Sequence, residues 1–159
     1  MSESYRGQCN LHLHFAKQYL ADSEGDAEPQ WSGHYQRACV ESALWQLRLA
    51  YECHLADLLI QQPLYSQTLP TGRMNAQVLT KAAHPPEIAE LADREIHDDQ
   101  LKWMLDYRFV RQPGDAKQYN PSLLSTVTVS DQDDIELAKG CLQFLSELIA
   151  RHRSTLLEY

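Results

Sequence analysis

The chain has 159 residues, 43% of them hydrophobic and 23% charged, with 22 acidic against 14 basic side chains and a net charge of −8. That length supports a single domain, residues 1–159, with a substantial core, and the composition is not that of a disordered chain. The acidic balance argues against nucleic acid as a partner, since phosphate contacts need a basic patch, and against an anionic membrane surface.

The first helix is expected over residues 3–21, where Cys9, Leu13, Ala16 and Leu20 form a stripe flanked by His12 and Tyr19. The opening segment has no basic stretch followed by an apolar core, so it does not read as a secretory signal. The connector Asp22-Ser-Glu-Gly-Asp-Ala-Glu-Pro29 is acidic and short, which makes the first two helices antiparallel neighbours.

The second helix, from about Gln30 to Gln62, organises the rest. It has no Pro until Pro63 and no Gly after Gly33, and Ala and Leu dominate it. Ser32 is its expected N-cap. Its apolar positions fall on two arcs: Val40, Leu44, Leu47, Tyr51, Leu55 and Leu58, and then Ala38, Trp45, Leu49, Ala56 and Ile60. Two arcs imply two packing neighbours and a central place in a bundle. Between them runs a charged seam of Arg37, Glu41, Arg48 and Glu52, with His54 beside it. Arg37–Glu41 and Arg48–Glu52 are i,i+4 pairs. They form either a solvated strip or a partly buried network lining a ligand groove.

Beyond a Pro-rich loop, Met74–Ala83 reads as a short helical piece. Pro86 suits a first helical turn, with Glu87, Glu90 and Asp93 at the positive end of the dipole. Ile88, Ala92, Ile96, Trp103 and Tyr107 fall near one face. Asp98 and Asp99 interrupt that face, so either is expected to cap a second segment, Gln100–Val110. Gln112–Val129 reads as a long extended crossing. The last helix is expected over about Asp131–Leu157, with Ser130 and Asp133 approximating a capping box. Ile135, Ala138, Leu142, Leu145, Ile149 and Leu156 line its apolar arc, widened by Leu137, Cys141, Phe144 and Leu148.

Glu41-Ser-Ala-Leu-Trp45 with Leu47 and Tyr51 resembles the pattern of an uncharacterised gammaproteobacterial family of small all-helical proteins. Asn10, Phe15-Ala16, Pro86-Glu-Ile-Ala-Glu-Leu91 and Glu158-Tyr159 are similar too. The resemblance implies a helical fold and carries no activity with it.

Candidate chemistry is sparse. His12 and His14 point about 200° apart on a helix, so they do not share a metal. Asp93 and His97 are an isolated i,i+4 pair, and no Glu-x-x-His of a di-metal bundle occurs, so neither metal nor cofactor is expected. Arg48-x5-His54 is similar to the Arg/His motif of the HEPN bundles. That resemblance implies ribonuclease chemistry, with His54 as acid/base and Arg48 on the phosphate. Against it, the two side chains lie about 120° apart around the helix, and the net charge repels RNA. Cys53 adjoins His54 in sequence, but adjacent helical residues do not face each other. His152 is expected to be satisfied by helix-terminal carbonyls, with a pH-sensitive partner contact as the alternative.

The four cysteines, Cys9, Cys39, Cys53 and Cys141, form no C-x-x-C pair and read as buried free thiols in a reducing compartment. With no run of eighteen apolar residues, no membrane span is expected. The whole reads as an all-α bundle of four principal helices, one short helix and a long crossover before the last. The expected function is that of a non-enzymatic cytoplasmic interaction protein, contacting itself or another protein through candidates such as Trp31 and Tyr35. The competing reading is a ligand-binding or HEPN-like bundle using Arg37, Glu41, Arg48, Glu52 and His54.

Overall fold

The computed structural model describes residues 4–25, 32–62, 64, 69–110 and 129–156. Six helices follow in order: α1 Tyr5–Asp22, α2 Ser32–Ile60, α3 Ala76–Leu79, α4 Pro86–His97, α5 Asp99–Asp106 and α6 Val129–Leu156. No strand occurs among the described residues, so the fold is all-α. The crossing expected over Gln112–Val129 lies outside the described residues except for Val129, which opens α6. Ser130 and Asp133 therefore fall inside the helix they were expected to cap, and Ser32 likewise belongs to α2 itself.

Local chemistry sets several boundaries. The Ser4 hydroxyl accepts the Gly7 amide at 3.0 Å and starts α1. The Asp98 carboxylate accepts the amides of Gln100 and Leu101 at 3.0 and 3.1 Å. It ends α4 and starts α5, as the sequence suggested, because an acceptor at the N-cap satisfies amides that the helix leaves open. Pro86 occupies the first turn of α4, where its missing N–H costs nothing.

α2 is the axis, a rod of roughly 45 Å that touches α1, α4, α5 and α6. Its first apolar arc is wholly buried, from Val40 through Leu58. The second arc is not a packing face. Trp45 and Ile60 are 46% and 56% exposed, Ala38 is exposed, Leu49 is half-buried, and of the five only Ala56 is enclosed. The second neighbour, α1, instead follows a stripe of small and polar residues. Gln46 meets His12, and Asp57 meets Arg6, which also fixes α1 antiparallel to α2. Cys39, Ala43 and Ala50 share that stripe by helical spacing and are buried. Small side chains let α1 approach closely, and they carry little hydrophobic signal in the sequence.

α4 is rotated from its expected face. Ile88 and Leu91 are buried with Glu95, whereas Ile96 is 52% exposed. The reason is that Glu95 has partners inside. Its Oε2 accepts the Tyr51 hydroxyl at 2.6 Å and the Ala76 amide at 2.7 Å, and its Oε1 accepts the Gln77 amide at 3.2 Å. A hydrogen-bonded carboxylate is tolerated where an unpaired one would be expelled. α6 closes the core with Ile135, Ala138, Cys141, Leu145, Leu148 and Ile149, while Leu142, Phe144 and Leu156 are half-buried and Leu137 is exposed.

Candidate functional site

The charged seam of α2 separates into three environments. Arg37 and Glu41 form an ion pair at 3.1 Å near the surface, and the Tyr107 hydroxyl donates to Glu41 at 3.4 Å. Arg48 turns away from Glu52 to the end of α5. Its Nε donates to the Met104 carbonyl at 2.9 Å, and its Nη2 donates to the carbonyls of Leu105 and Tyr107 at 2.8 and 2.7 Å. These are carbonyls a helix end leaves open, and a cation suits the negative end of the dipole. The guanidinium also lies 4.7 Å from the centre of the Phe109 ring. Burial lowers the Arg48 pKa, and Arg73 adds to that shift. Glu52 accepts the Met74 amide at 2.7 Å, so Glu52 and Glu95 together pin the segment around α3.

His54 is fully buried and faces α6. Its Nε2 lies 2.9 Å from Nδ1 of His152, with the two rings only 13° from parallel. Their centroids are 5.2 Å apart, longer than the N···N distance by about the two ring radii, so the imidazoles meet edge to edge in line. His152 is itself buried, and its Nε2 sits 3.4 Å from both oxygens of Glu90 on α4. Glu90 also holds Arg151, with Nη2 3.0 Å from Oε2, and lies 3.7 Å from Arg94.

The hydrogens of this row follow from chemistry. An ionised carboxylate only accepts, so His152 carries its proton on Nε2 and accepts at Nδ1. His54 then donates through Nε2, which leaves its Nδ1 as a buried acceptor without a hydrogen-bond partner among the described residues. Burial, His152 and the guanidinium groups of Arg153 and Arg6 push the His54 pKa down to about 3. Burial lowers His152 too, against the pull of Glu90. For Glu90, hydrogen bonds from Arg151 and His152 outweigh burial and hold the carboxyl below its usual range. His152 is thus satisfied by a histidine and a carboxylate, not by helix-end carbonyls.

The other sequence candidates lie apart. Asp93 and His97 pair at 3.0 Å on the open surface. No group of three or more His, Cys, Asp and Glu side chains suited to a metal occurs among the described residues. Cys9, Cys39 and Cys141 are buried and Cys53 is half-buried, none of them in a disulfide, with burial pushing Cys9 and Cys141 up to about 12. Trp31 lies outside the described residues, and Tyr35 is half-buried.

What the surface does present is an aromatic face on α1 and α2. Leu11, Phe15 and Tyr19, spaced four apart on α1, are 38–39% exposed. Trp45 on α2 packs edge to face on Phe109, with ring centres 5.8 Å apart. Tyr19, Ala38, Trp45 and Phe109 line one open groove of about 400 Å³, with Glu41 its charged member.

A family model described as a family of unknown function, DUF6586, matches residues 1–159. The chain belongs to that family. None of the curated proteins and none of the solved structures matches it.

In this DUF6586 chain, sequence reasoning singled out His54 and His152 separately and missed their contact, which joins positions 98 residues apart. In the sequence Glu90 reads as a dipole-favouring residue near the start of α4. The signal for Glu95 was present, because it lies four residues after Leu91 on the apolar face of α4. A carboxylate on such a face implies a buried donor.

Proposed function

We propose that this DUF6586 protein is a non-enzymatic interaction module that seats a basic amphipathic helix of a partner protein on the aromatic face of α1 and α2. The observation that carries the reading is the contiguity of Tyr19, Trp45 and Phe109 in one groove beside the Leu11–Phe15–Tyr19 stripe. Single exposed apolar residues are ordinary on a protein surface, but a connected aromatic patch with a polar rim favours an apolar partner surface. The net charge of −8 favours a cationic partner and opposes a second copy of the same chain. Arg48, Glu52 and His54 each have a partner inside the fold, which supports a scaffolding role for the seam. No described helix is long and apolar enough to cross a membrane.

The test is fluorescence anisotropy with a labelled amphipathic helix of Leu and Lys, about eighteen residues long so that it can form a helix. A second peptide with Glu in place of Lys is the charge control. The Lys peptide is expected to bind, the Glu peptide to fail, and Trp45→Ala to weaken binding roughly thirtyfold, as loss of an aromatic hot spot does. Equal binding of the Lys peptide to wild type and Trp45→Ala overturns the reading. A mass in light scattering that doubles with concentration, and no longer does so in Trp45→Ala, assigns the face to a second copy instead.

A further inference from the structure

The end of α6 is anchored in an unusual way. After Ile149, which is buried, the helix runs Ala150, Arg151, His152, Arg153, Ser154, Thr155 and Leu156. Of these seven, His152 alone is fully buried; the others are exposed or half-buried. The side chain that would ordinarily be a Leu or Ile in the last two turns is therefore an imidazole. Leu156 adds a half-buried apolar contact with the core, and the remaining attachments there are polar. Arg151 binds Glu90, Arg153 donates to Asn10 on α1 at 2.8 Å, and the Thr155 hydroxyl lies 3.4 Å from Glu87.

We propose that His152, held in line between His54 and Glu90, is an acid-sensitive latch that fastens the last two turns of α6 and frees them when the histidine pair takes up protons.

The row has one hydrogen for each of its two gaps. Glu90 accepts from Nε2 of His152, and Nδ1 of His152 accepts from Nε2 of His54. A proton added to the pair is placed on His152 only if the central bond reverses. His54 must then carry its own hydrogen on Nδ1, which has no acceptor among the described residues. A second proton sets two N–H groups against each other across 2.9 Å. Arg6 of α1 and Arg153 of α6 face His54 and oppose a positive charge there. Around His152, Glu90 and Glu87 of α4 favour the charge and Arg151 of α6 opposes it, but Glu90 is already shared with Arg151 and Arg94. The closed latch thus holds the neutral pair. The open one exposes both imidazoles to water, where protonation is ordinary. The downward pKa shifts of both histidines run in the same direction.

The experiment is hydrogen exchange of the full chain read by mass spectrometry from about pH 7.5 to about pH 5, corrected for intrinsic exchange rates. Opening of residues 150–156 is expected to rise by up to about tenfold per pH unit for each proton taken up, ahead of the centre of α2. His152→Gln, which keeps a polar group but cannot titrate, should remove most of that pH dependence. Retention of the full wild-type pH dependence by His152→Gln overturns the latch. So does wild-type opening of 150–156 that does not increase on acidification. Where His152→Gln already leaves α6 unprotected at neutral pH, imidazole nitrogen spectra of the wild type decide. Protonation of His152 in step with opening supports the latch, and protonation while 150–156 stay protected contradicts it.

Discussion

Nε2 of His54 and Nδ1 of His152 lie 2.9 Å apart, joining the C-terminal third of the long helix α2 to the last turns of α6. Both side chains are buried, and both imidazoles are neutral in the folded state at neutral pH because burial disfavours the cation.

Stability should therefore fall on acidification, beginning well above the carboxylate range. Below pH 6.5 the unfolded chain binds a proton at each histidine that the fold rejects, so stability drops as pH falls, for His54 down to about 3. Each histidine contributes a slope of up to about 1.4 kcal/mol per pH unit. Glu90, held low in the fold, adds its own loss below its ordinary value of 4.5. On the alkaline side the sign reverses. Above pH 9 the unfolded chain loses protons that Cys9 and Cys141 retain up to about 12, so stability falls as pH rises. Urea unfolding across this range should show a plateau between the two limbs, and His54→Asn with His152→Gln should flatten the acidic one.

Arg48 acts as a structural clamp. Replacing it by Ala strips three carbonyls at the end of α5 of a charged donor and should cost about 3 kcal/mol in urea unfolding. Arg48→Lys should recover only part of this, because one ammonium cannot reproduce the planar fork or the contact with Phe109.

Glu95 ties α2, α3 and α4 to one carboxylate. Tyr51→Phe removes one donor and should cost about 1–2 kcal/mol. Glu95→Ala leaves the Tyr51 hydroxyl and the Ala76 amide without their acceptor and should cost more. Hydrogen exchange should locate the added opening at residues 74–80.

Asp98 is an N-cap with two amide partners. Asp98→Ala should cost about 1 kcal/mol, and Asp98→Asn should recover most of it, since the amide oxygen still accepts. Thermal unfolding of the two variants separates capping from the ion pair of Asp98 with Arg94 at 3.3 Å, which the Asn variant also loses.

Helices were legible because their determinants are local. The composition of α2, Pro86 at the start of α4 and Asp98 between α4 and α5 act within a turn of the chain. The first apolar arc of α2 was legible for the same reason. The second failed because the contact with α1 uses Ala43, Ala50 and Cys39, and small residues carry little periodic signal. The seam was legible as charge and not as destination. Whether Arg48 meets Glu52 or the carbonyls of Met104, Leu105 and Tyr107 depends on where α5 ends in space, about sixty residues away. The pairing of His54 with His152 was illegible for the same reason, since nothing local to α2 or α6 announces the other.

The aromatic face of α1 and α2 is proposed as the contact surface. Titrating the isotopically labelled protein with the Lys/Leu helix, and following backbone amides and the Trp45 indole N–H by NMR, tests it most directly. Shifts are expected to concentrate at Leu11, Phe15, Tyr19, Glu41, Trp45 and Phe109. A static Trp45 indole, with shifts centred elsewhere or spread evenly over the acidic surface, would contradict it.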